Sequence, residues 1–427
     1  MTVPAEERRP AHFTLTEDEV AAKFPNRARG YELLRRLGSP RHIVAPMVDQ
    51  SELAWRILSR RYDAHLCYTP MFHARMFGDE KAKYFREHWQ TSPEDRPLVV
   101  QFCANDPDAL LAAARRIEDA ADAVDLNLGC PQHIARRGHY GSFLMEDWDL
   151  ISRLIRRLHE GLAIPVTAKI RVYPDVAKTV AYARMVEAAG AQIITVHGRL
   201  REQKGHKTGL ADWAQIRAVK DAVKVPVFAN GNILYYEDIQ RCIDATHADG
   251  VMSAETNLYN PALFSGKCLP TWQLAEEYMD ICRTIAPTNP SYIRGHLFKL
   301  FRYSLPIHTD LRQQLVEART ADDFAAVVAA IKTRLVADAA AQSPPFDPDC
   351  VEVDEFGYRK YPHWICQPAL RFEHDKNCSQ SKRLLNEAEQ KPPAEQPAPE
   401  LSSGEAGSGP SADGAEPDCD AKRQKTS

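Results

Sequence analysis

An alternation of apolar strands and amphipathic helices, running from residue 41 to residue 256, limits the fold of this chain more than any other feature. Each period has a short apolar run, a polar or glycine-containing loop, and a stretch with apolar residues at helical spacing. Strands that alternate with single helices pair in parallel through right-handed crossovers. The sequence predicts eight such strands, at residues 42–47, 65–71, 97–103, 123–130, 165–172, 193–199, 226–231 and 250–255.

Eight strand–helix units within about 215 residues favour a closed (β/α)8 TIM barrel, so the predicted fold class is α/β. The alternative is an open, doubly wound sheet, but the GxGxxG fingerprint that usually follows its first strand is absent. Local signals agree with the predicted helices. Asp106 is a suitable N-cap with Pro107 in the first turn, and Gly190 is suited to end the helix before it.

Two changes of composition divide the rest of the chain. Residues 270–340 carry apolar positions at helical spacing, which predicts a small all-helical domain. Beyond residue 381 the chain is rich in Glu, Pro, Ser, Gly and Ala, which predicts a disordered C-terminal tail because few apolar groups offset the entropy of ordering. The predicted parts are an N-terminal extension (1–40), the barrel (41–268), the helical domain (269–340), a C-terminal extension (341–380) and the tail (381–427).

The overall composition, 44% hydrophobic and 26% charged, is typical of a soluble globular protein, and we expect neither a membrane span nor a stable oligomer. The polar start lacks the apolar stretch of a secretory signal, so the ten cysteines are expected to be thiols in the cytoplasm or the nucleus. The final AKRQK is either a nuclear-localisation signal or a solvated chain end. A net charge of -4 means that any contact with RNA must come from local patches.

Polar residues gather at the predicted strand ends, where the active site of a TIM barrel forms. A polar residue at one strand end is ordinary capping, but seven of the eight predicted strands end in this way. Convergence on a shared site explains the pattern better than capping does. The residues concerned are Met47, Asp49, Gln101, Asn127, Cys130, Lys169, Arg171, His197, Arg199, Asn230, Asn232, Ala254 and Glu255.

Five motifs lie in order at these strand ends, namely APM at 45–47, DLNLGCP at 125–131, K-x-R at 169–171, HGR at 197–199 and NGNI at 230–233. Together they resemble the dihydrouridine synthase family of FMN-dependent enzymes that modify tRNA. The resemblance covers residues 40–340, helical domain included. Among eukaryotic branches it is strongest to the one that modifies positions 16 and 17 of the tRNA D-loop.

The resemblance implies an enzyme that reduces tRNA uridines to 5,6-dihydrouridine. The hydride would come from FMN, which NADPH or NADH would reduce again, and the proton would come from Cys130. Such a reduction needs one well-placed acid. Cys130 lies in a Gly-Cys-Pro turn after the fourth predicted strand, where its thiol is expected to face the cavity. Without the resemblance, a small buried hydrophobic residue is the other interpretation.

The resemblance also implies a set of FMN-binding residues. Lys169 is expected near the N1 and O2 edge of the flavin, where positive charge stabilises the anionic reduced ring; a carboxylate-paired lysine and a Schiff-base lysine are the alternatives. His197 is a flavin ligand by resemblance, or else a strand cap. Gln101 offers a donor and an acceptor to the flavin pyrimidine edge. The full predicted set is Pro46, Met47, Val48, Gln101, Lys169, His197, Asn230, Gly231, Asn232, Ala254 and Glu255.

The FMN phosphate is expected beside the loops after the seventh and eighth predicted strands, as in many barrels. Those loops hold residues 230–232, Ala254 and Glu255. The common bacterial pattern of the family has Gly-Arg at the last site. Because the Glu255 carboxylate would repel a phosphate, only its backbone contact is predicted.

Contacts with tRNA are predicted for basic and amide side chains near Cys130, with solvated surface charge as the alternative. In the helical domain, basic residues at positions 294, 296, 299 and 302 share the spacing of one helix face, which predicts a second tRNA surface; an ordinary amphipathic helix is the other interpretation. The predicted substrate-binding residues are Asn127, Arg136, Arg137, Arg171 and Arg199.

Five residues after the helical domain are candidate zinc ligands, but their spacing matches no CxxC pair, so no metal site is predicted from them. They are Cys350, His363, Cys366, His374 and Cys378. Two other functions stay open: an FMN-dependent reductase of a free pyrimidine, of the dihydroorotate dehydrogenase kind, and a non-catalytic RNA-binding protein. A helical appendage and an Arg-rich loop after Cys130 favour a macromolecular substrate over the first of these.

Overall fold

A closed barrel of eight parallel strands is the centre of the protein. The computed structural model describes residues 13–81, 83–355 and 357–370. β1 pairs with β2 on one side and with β9 on the other, and β2 pairs with β4, which closes the barrel. The strands are β1 (His42–Val44), β2 (Leu66–Tyr68), β3 (Phe72–His73), β4 (Leu98–Cys103), β5 (Ala123–Leu128), β6 (Val166–Arg171), β7 (Ile194–His197), β8 (Val227–Asn230) and β9 (Gly250–Ser253).

The predicted TIM barrel is therefore confirmed, with one additional strand. β3 has two residues and pairs in parallel with the end of β4, outside the ring. Helices cross between the barrel strands as the periodicity predicts. They are α3 (Leu53–Arg61), α4 (Ala74–Gly78), α5 (Tyr84–His88), α6 (Pro107–Arg115), α7 (His133–Gly138), α8 (Trp148–Gly161), α9 (Val176–Ala188), α10 (Trp213–Ala222), α11 (Glu237–Thr246) and α12 (Glu255–Tyr259).

Several strands end earlier than predicted, because the strand-end motifs belong to the loops. β1 ends at Val44, two residues before Pro46, which has no N–H to donate to a sheet. β8 ends at Asn230, because Gly231 adopts a left-handed φ of 117° that breaks the ladder. The motif residues therefore line the rim of the barrel.

Local capping signals in the sequence predict two helix ends correctly. The Asp106 side chain accepts hydrogen bonds from the N–H groups of Asp108 and Ala109, and Pro107 opens α6. Gly190 follows α9 with a φ of 117°. A Cβ at Gly190 would lie 2.5 Å from Cγ of His159, so both conformation and space require glycine.

Further helices precede and follow the barrel in the sequence. α1 (Glu17–Lys23) and α2 (Tyr31–Arg36) precede it, and α13 (Thr271–Thr284), α14 (Pro290–Leu300), α15 (Thr309–Glu317) and α16 (Ala321–Ala341) follow it. The last four helices share a hydrophobic core with α3 of the barrel. Trp55 of α3 is fully buried and stacks on His296 of α14 at 3.9 Å between ring centroids. The helices predicted after the barrel are thus present, and they pack directly on the barrel.

Both chain extensions are attached to the folded part through the residues that the structure describes. Near the N-terminus, Leu15 donates its N–H to the Glu160 carboxylate of α8 at 2.9 Å. Near the C-terminus, Thr271 donates its N–H to the Trp364 carbonyl oxygen at 2.8 Å. The predicted tail at 381–427 lies outside the described residues. Across the described ranges, no helix combines the length and apolar character needed to cross a membrane.

Candidate active site

Most of the predicted site residues lie at one end of the barrel, because parallel strands bring their carboxyl ends together. The strand register pairs Asn127 with Lys169, Arg171 with His197, and His197 with Asn230. The side chains of β5, β6, β7 and β8 are thereby brought to one rim. Cys130 follows β5 by two residues at the same rim.

The turn that carries Cys130 is held from two sides. Asn127 Oδ1 accepts hydrogen bonds from the N–H groups of Gly129, at 3.2 Å, and Cys130, at 2.9 Å. The N–H and Oγ of Ser142 donate to the Cys130 carbonyl oxygen at 3.1 and 2.9 Å. A Cβ at Gly141, whose φ is 64°, would lie 2.8 Å from that oxygen. The backbone of Cys130 is therefore fixed, while its thiol is partly exposed.

The Cys130 thiol keeps its proton near neutral pH. Burial raises the pKa of Cys130, and the Gln132 N–H and the charges of Arg171 and Lys169 act in the opposite direction without cancelling it. A thiol with a raised pKa holds a proton that it can donate. The cations nearby can then stabilise the thiolate that forms.

A buried amide network lies next to this turn. Gln101 is fully buried and donates through Nε2 to Asp125 Oδ2 at 2.8 Å. Its Oε1 accepts a hydrogen bond from Asn127 Nδ2 at 2.8 Å, and Thr167 donates to the other Asp125 oxygen at 2.6 Å. Burial raises the pKa of Asp125 to about 6. These bonds fix the orientation of the Gln101 and Asn127 amides.

The buried ammonium group of Lys169 donates a hydrogen bond to a side-chain amide. Its Nζ donates to Asn230 Oδ1 at 2.9 Å, and Asn230 Nδ2 donates to the Met252 carbonyl oxygen at 2.8 Å. Burial, with the nearby charge of Arg171, lowers the pKa of Lys169 to about 7. Asp125 opposes this shift only in part. Asn230 thus positions a lysine that a bound anion would readily keep protonated.

Arg171, predicted to bind the substrate, is 6% exposed and lies beneath the site. Its Nε donates to the Gly129 carbonyl oxygen at 2.7 Å, and Nη1 donates to that of Leu200 at 2.7 Å. Arg171 therefore ties the Cys130 turn to the loop after β7. Its contact with RNA stays a prediction.

His197 is held as a neutral ring with a defined tautomer. Burial, followed by the charges of Arg171 and Lys169, lowers its pKa well below the usual range. Arg199 Nη1 lies 3.1 Å from His197 Nε2. Because a guanidinium can only donate, Nε2 accepts and the ring proton is at Nδ1. His197 Nδ1 can therefore donate to a ligand.

Asn232 and Gly231 support this arrangement. Asn232 Oδ1 accepts from Arg199 Nη2 at 3.1 Å and from the Ala211 N–H at 2.9 Å, and its Nδ2 donates to the Ala211 carbonyl oxygen. A Cβ at Gly231 would lie 2.6 Å from Cβ of Ala211. The Asn232 side chain positions Arg199, which leaves the backbone of this loop for the predicted phosphate contact.

The last strand end combines a carboxylate with a lysine of the helical domain. Ala254 is the N-cap of α12, and Glu255 is exposed in its first turn. The charge of Glu255 favours the protonated form of Lys299 on α14, while burial lowers the pKa of Lys299. A cation is therefore close to the carboxylate that would otherwise repel a phosphate.

The loop after β1 borders a cavity that the sequence does not predict. Pro46 and Met47 are half-buried, whereas Val48 is 54% exposed. Val48 lines a cavity of about 310 Å³ between this loop and the start of α14, together with Asp49, Tyr84 and Tyr292. Such a pocket of two aromatic rings and polar groups can hold a planar, hydrogen-bonding ligand.

The basic residues around the rim differ in exposure. Arg136 and Arg137 are exposed on α7, directly after the Cys130 turn. Arg302, two residues after the end of α14, is also exposed. His296 is fully buried, so the predicted basic face of α14 is wrong at this position. Its apolar contact with Trp55 replaces the predicted exposure to RNA.

The candidate zinc ligands do not meet as a group within the described ranges. Cys350 is exposed, whereas Cys366 is buried in the core shared with α3. His363 lies instead beside His308 and Asp338. His374 and Cys378 lie outside the described residues.

Comparison with known proteins identifies the family. The model of the dihydrouridine synthase (Dus) family matches residues 43–335, which is more than half of the chain. The chain belongs to the dihydrouridine synthase family. The resemblance seen in the five strand-end motifs is thus confirmed.

The relatives of this dihydrouridine synthase include a mouse protein named tRNA-dihydrouridine(16/17) synthase [NAD(P)(+)]-like, which is 52% identical over 84% of this chain and 76% of its own length. A Saccharomyces cerevisiae protein named tRNA-dihydrouridine(16/17) synthase [NAD(P)(+)] is 50% identical over 80% of this chain and 86% of its own. A human protein named tRNA-dihydrouridine(20a/20b) synthase [NAD(P)+]-like is 36% identical over 54% of this chain and 74% of its own.

Proposed function

We propose that this dihydrouridine synthase reduces uridines at positions 16 and 17 of tRNA to 5,6-dihydrouridine, with FMN as cofactor and NADPH or NADH as reductant. The relatives with 50–52% identity carry names that specify 16/17, and they match more of this chain than the 20a/20b protein does. One structural observation carries the proposal. A protonated thiol, Cys130, stands on a rigid turn beside buried cations.

The residues at the rim fit a flavin chemically. Lys169, Arg171 and Arg199 bring three cationic side chains toward the same rim, while the buried carboxylate Asp125 has a pKa raised to about 6. An excess of buried positive charge suits an anionic ligand. When bound, FMN supplies the hydride for the reduction.

Three of the predicted cofactor residues have a defined chemical part in this proposal. Lys169 would place its ammonium at the flavin edge that becomes anionic on reduction, oriented by Asn230. His197 would donate from Nδ1, because Arg199 occupies Nε2. Beyond its bonds to Asp125 and Asn127, the Gln101 amide has a second N–H and a second oxygen lone pair. These would form hydrogen bonds with the polar edge of the flavin ring.

Cys130 would act as the acid. Its S–H bond would break and the proton would pass to C5 of the uracil ring, while the bound FMN would supply the hydride to C6, so that the C5–C6 bond is reduced. The thiolate left behind is stabilised by Arg171, Lys169 and Lys204, whose charges all lower its pKa. Solvent then restores the proton, since the thiol is partly exposed.

For the tRNA, we propose that Arg136 and Arg137 bind phosphates, because both are exposed next to the Cys130 turn. Asn127, Arg171 and Arg199 then act near the substrate mainly by positioning the turn and His197. For location, we propose the cytoplasm or the nucleus, because the eight cysteines among the described residues are free thiols.

The proposal is tested by supplying the purified full-length protein with FMN, NADPH and an unmodified tRNA transcript, and by mapping dihydrouridine along the product. We expect dihydrouridine at positions 16 and 17. Reduction of free uridine or orotate without tRNA would support a dihydroorotate dehydrogenase-like enzyme instead. Tight tRNA binding without any dihydrouridine would support a non-catalytic RNA-binding protein.

A further inference from the structure

A cluster of two histidines and one aspartate joins three separate segments, none of which carries a strand-end residue. His308 precedes α15, Asp338 lies in α16, and His363 lies in the C-terminal extension. His308 Nε2 is 2.7 Å from Asp338 Oδ2, and His363 Nε2 is 3.5 Å from the same oxygen. The three ligand atoms all lie within 4.8 Å of one another.

The ring of His363 is oriented so that a lone pair faces the carboxylate. Ser304 Oγ donates its one proton to the His363 carbonyl oxygen at 2.8 Å. The same Oγ lies 3.3 Å from His363 Nδ1, so in this contact the ring nitrogen must be the donor. A neutral imidazole has one ring proton, which leaves Nε2 as a lone pair directed at Asp338 Oδ2. A cation bound between Nε2 and Oδ2, either a metal ion or a second ring proton, removes the repulsion between these two electron-rich atoms.

The donor set decides which cation fits. Two imidazole nitrogens and one carboxylate oxygen suit zinc and related first-row metals, whereas calcium and magnesium prefer oxygen ligands alone. Bonds of 2.0–2.1 Å in a tetrahedral site place donors roughly 3.3 Å apart. His308 Nε2 and Asp338 Oδ2 are hydrogen-bonded at 2.7 Å, and His363 Nε2 lies 3.5 Å from the same oxygen. These separations lie on either side of roughly 3.3 Å, so a small side-chain movement that opens the hydrogen bond would admit the metal.

The groups around the three side chains also match those expected at a zinc site. Metal-bound histidines commonly donate their second nitrogen to a neighbouring oxygen, as His363 does to Ser304. The side chains of His308, His363 and Asp338 are 10%, 20% and 33% exposed, so water can reach the cluster as a further ligand.

We propose that His308, Asp338 and His363 bind one zinc ion, with water as the fourth ligand, and that this site anchors the C-terminal extension to helices α15 and α16. Neighbouring bonds hold the same segment: Tyr303 donates its hydroxyl to the Pro368 carbonyl oxygen at 2.8 Å and accepts from the Leu370 N–H at 3.0 Å. None of the three ligands belongs to the strand-end site. The role is therefore structural.

The test uses tag-free, full-length protein that has been stripped with a chelator and then titrated with Zn²⁺ or Co²⁺. We expect one equivalent of Zn²⁺ per chain and a higher Tm on binding. Bound Co²⁺ is expected to show the intense visible bands of a tetrahedral site without a thiolate charge-transfer band. Absence of stoichiometric binding to the wild-type protein would overturn the proposal, and a thiolate band would assign the metal to cysteines instead.

Single substitutions distinguish the proposed zinc ligands from the residues that lie beside them. Ser304→Ala is expected to weaken zinc binding roughly 10- to 100-fold, as loss of an outer-shell partner does, and Asp338→Asn and His363→Gln to weaken it more. Asp310→Asn is the matched control, because Asp310 is an exposed carboxylate on α15 that pairs with Arg334. Wild-type affinity in folded Asp338→Asn protein would refute the assignment. Metal content is measured without tRNA or FMN, so this outcome is independent of the proposed activity.

Discussion

Replacement of Lys169 by methionine tests how the site accepts an anionic cofactor. The pKa of Lys169 is about 7 without a ligand, because the ammonium is buried beside Arg171. The anionic ring of reduced FMN nearby should return this pKa toward its ordinary value of 10.5. FMN binding above pH 7 should therefore take up a proton at Lys169.

The expected uptake follows from the ligand-free pKa. At pH 8, one unit above it, the neutral fraction of Lys169 is about 10/11, so binding should take up about 0.9 proton per FMN. At pH 6 the proton uptake at Lys169 alone should fall to about 0.1. The FMN phosphate, with a second pKa of about 6, is already fully ionised at pH 8 and adds little there.

Anaerobic isothermal titration calorimetry of the ligand-free protein with reduced FMN, in buffers of different ionisation enthalpy, measures this uptake directly. Lys169→Met should abolish the uptake at pH 8 and weaken binding. Methionine is of similar length, which keeps the packing change small. Equal uptake in the variant, or none in the wild type, would refute the assignment of this proton to Lys169.

The same pKa has a consequence for stability. The folded pKa, about 7, is lower than the ordinary 10.5, so the unfolded chain binds more protons between these values. The free energy of unfolding of the ligand-free protein should therefore rise with pH in this window. Lys169→Met should raise Tm at pH 7 and flatten its pH dependence, which thermal melts can measure.

Three further predictions concern other parts of the molecule. Gly141→Ala, which would bring a Cβ to 2.8 Å from the Cys130 carbonyl oxygen, should sharply reduce dihydrouridine formation while circular dichroism stays near wild type. Arg136→Ala and Arg137→Ala should each lower the salt slope of tRNA binding by about 0.7–0.9, measured by filter binding; an unchanged slope would argue against phosphate contacts. Trp55→Ala should destabilise the protein by about 3–5 kcal/mol in urea unfolding, because Trp55 is fully buried.

The barrel could be predicted because its signals are local and periodic. The alternation of strands and helices, the Asp106 cap and the Gly190 stop each depend on neighbouring residues. The strand ends then follow from topology, since parallel strands bring their carboxyl ends to one rim. The sequence therefore predicts which residues line the rim, although not how their side chains are arranged there.

The separate roles of the site residues could not be predicted, because these roles depend on hydrogen bonds between residues far apart in the sequence. Arg171 donates to the backbone of the Cys130 turn, and Asn232 positions Arg199. His296 shows the same limit: its spacing on α14 matches a basic face, yet Trp55 of α3 covers it. No pattern along α14 contains that information.

The zinc candidates show the limit most clearly. Metal-ligand motifs are recognised from residues that are close in the sequence. This criterion groups His363 with the nearby cysteines. His308 and Asp338 are 30 residues apart and reach His363 only because α15 and α16 pack side by side. Neither carries a sequence signal of its own.

Proton donation by Cys130 is tested most directly by anaerobic reduction of the bound flavin, addition of tRNA, and measurement of flavin reoxidation in wild type and Cys130→Ala. Flavin binding and its reduction by NADPH should be unchanged, because neither uses the thiol. Reoxidation by tRNA should be slower by roughly 10²- to 10⁴-fold, the range for loss of a general acid. Equal reoxidation rates would contradict the role of Cys130.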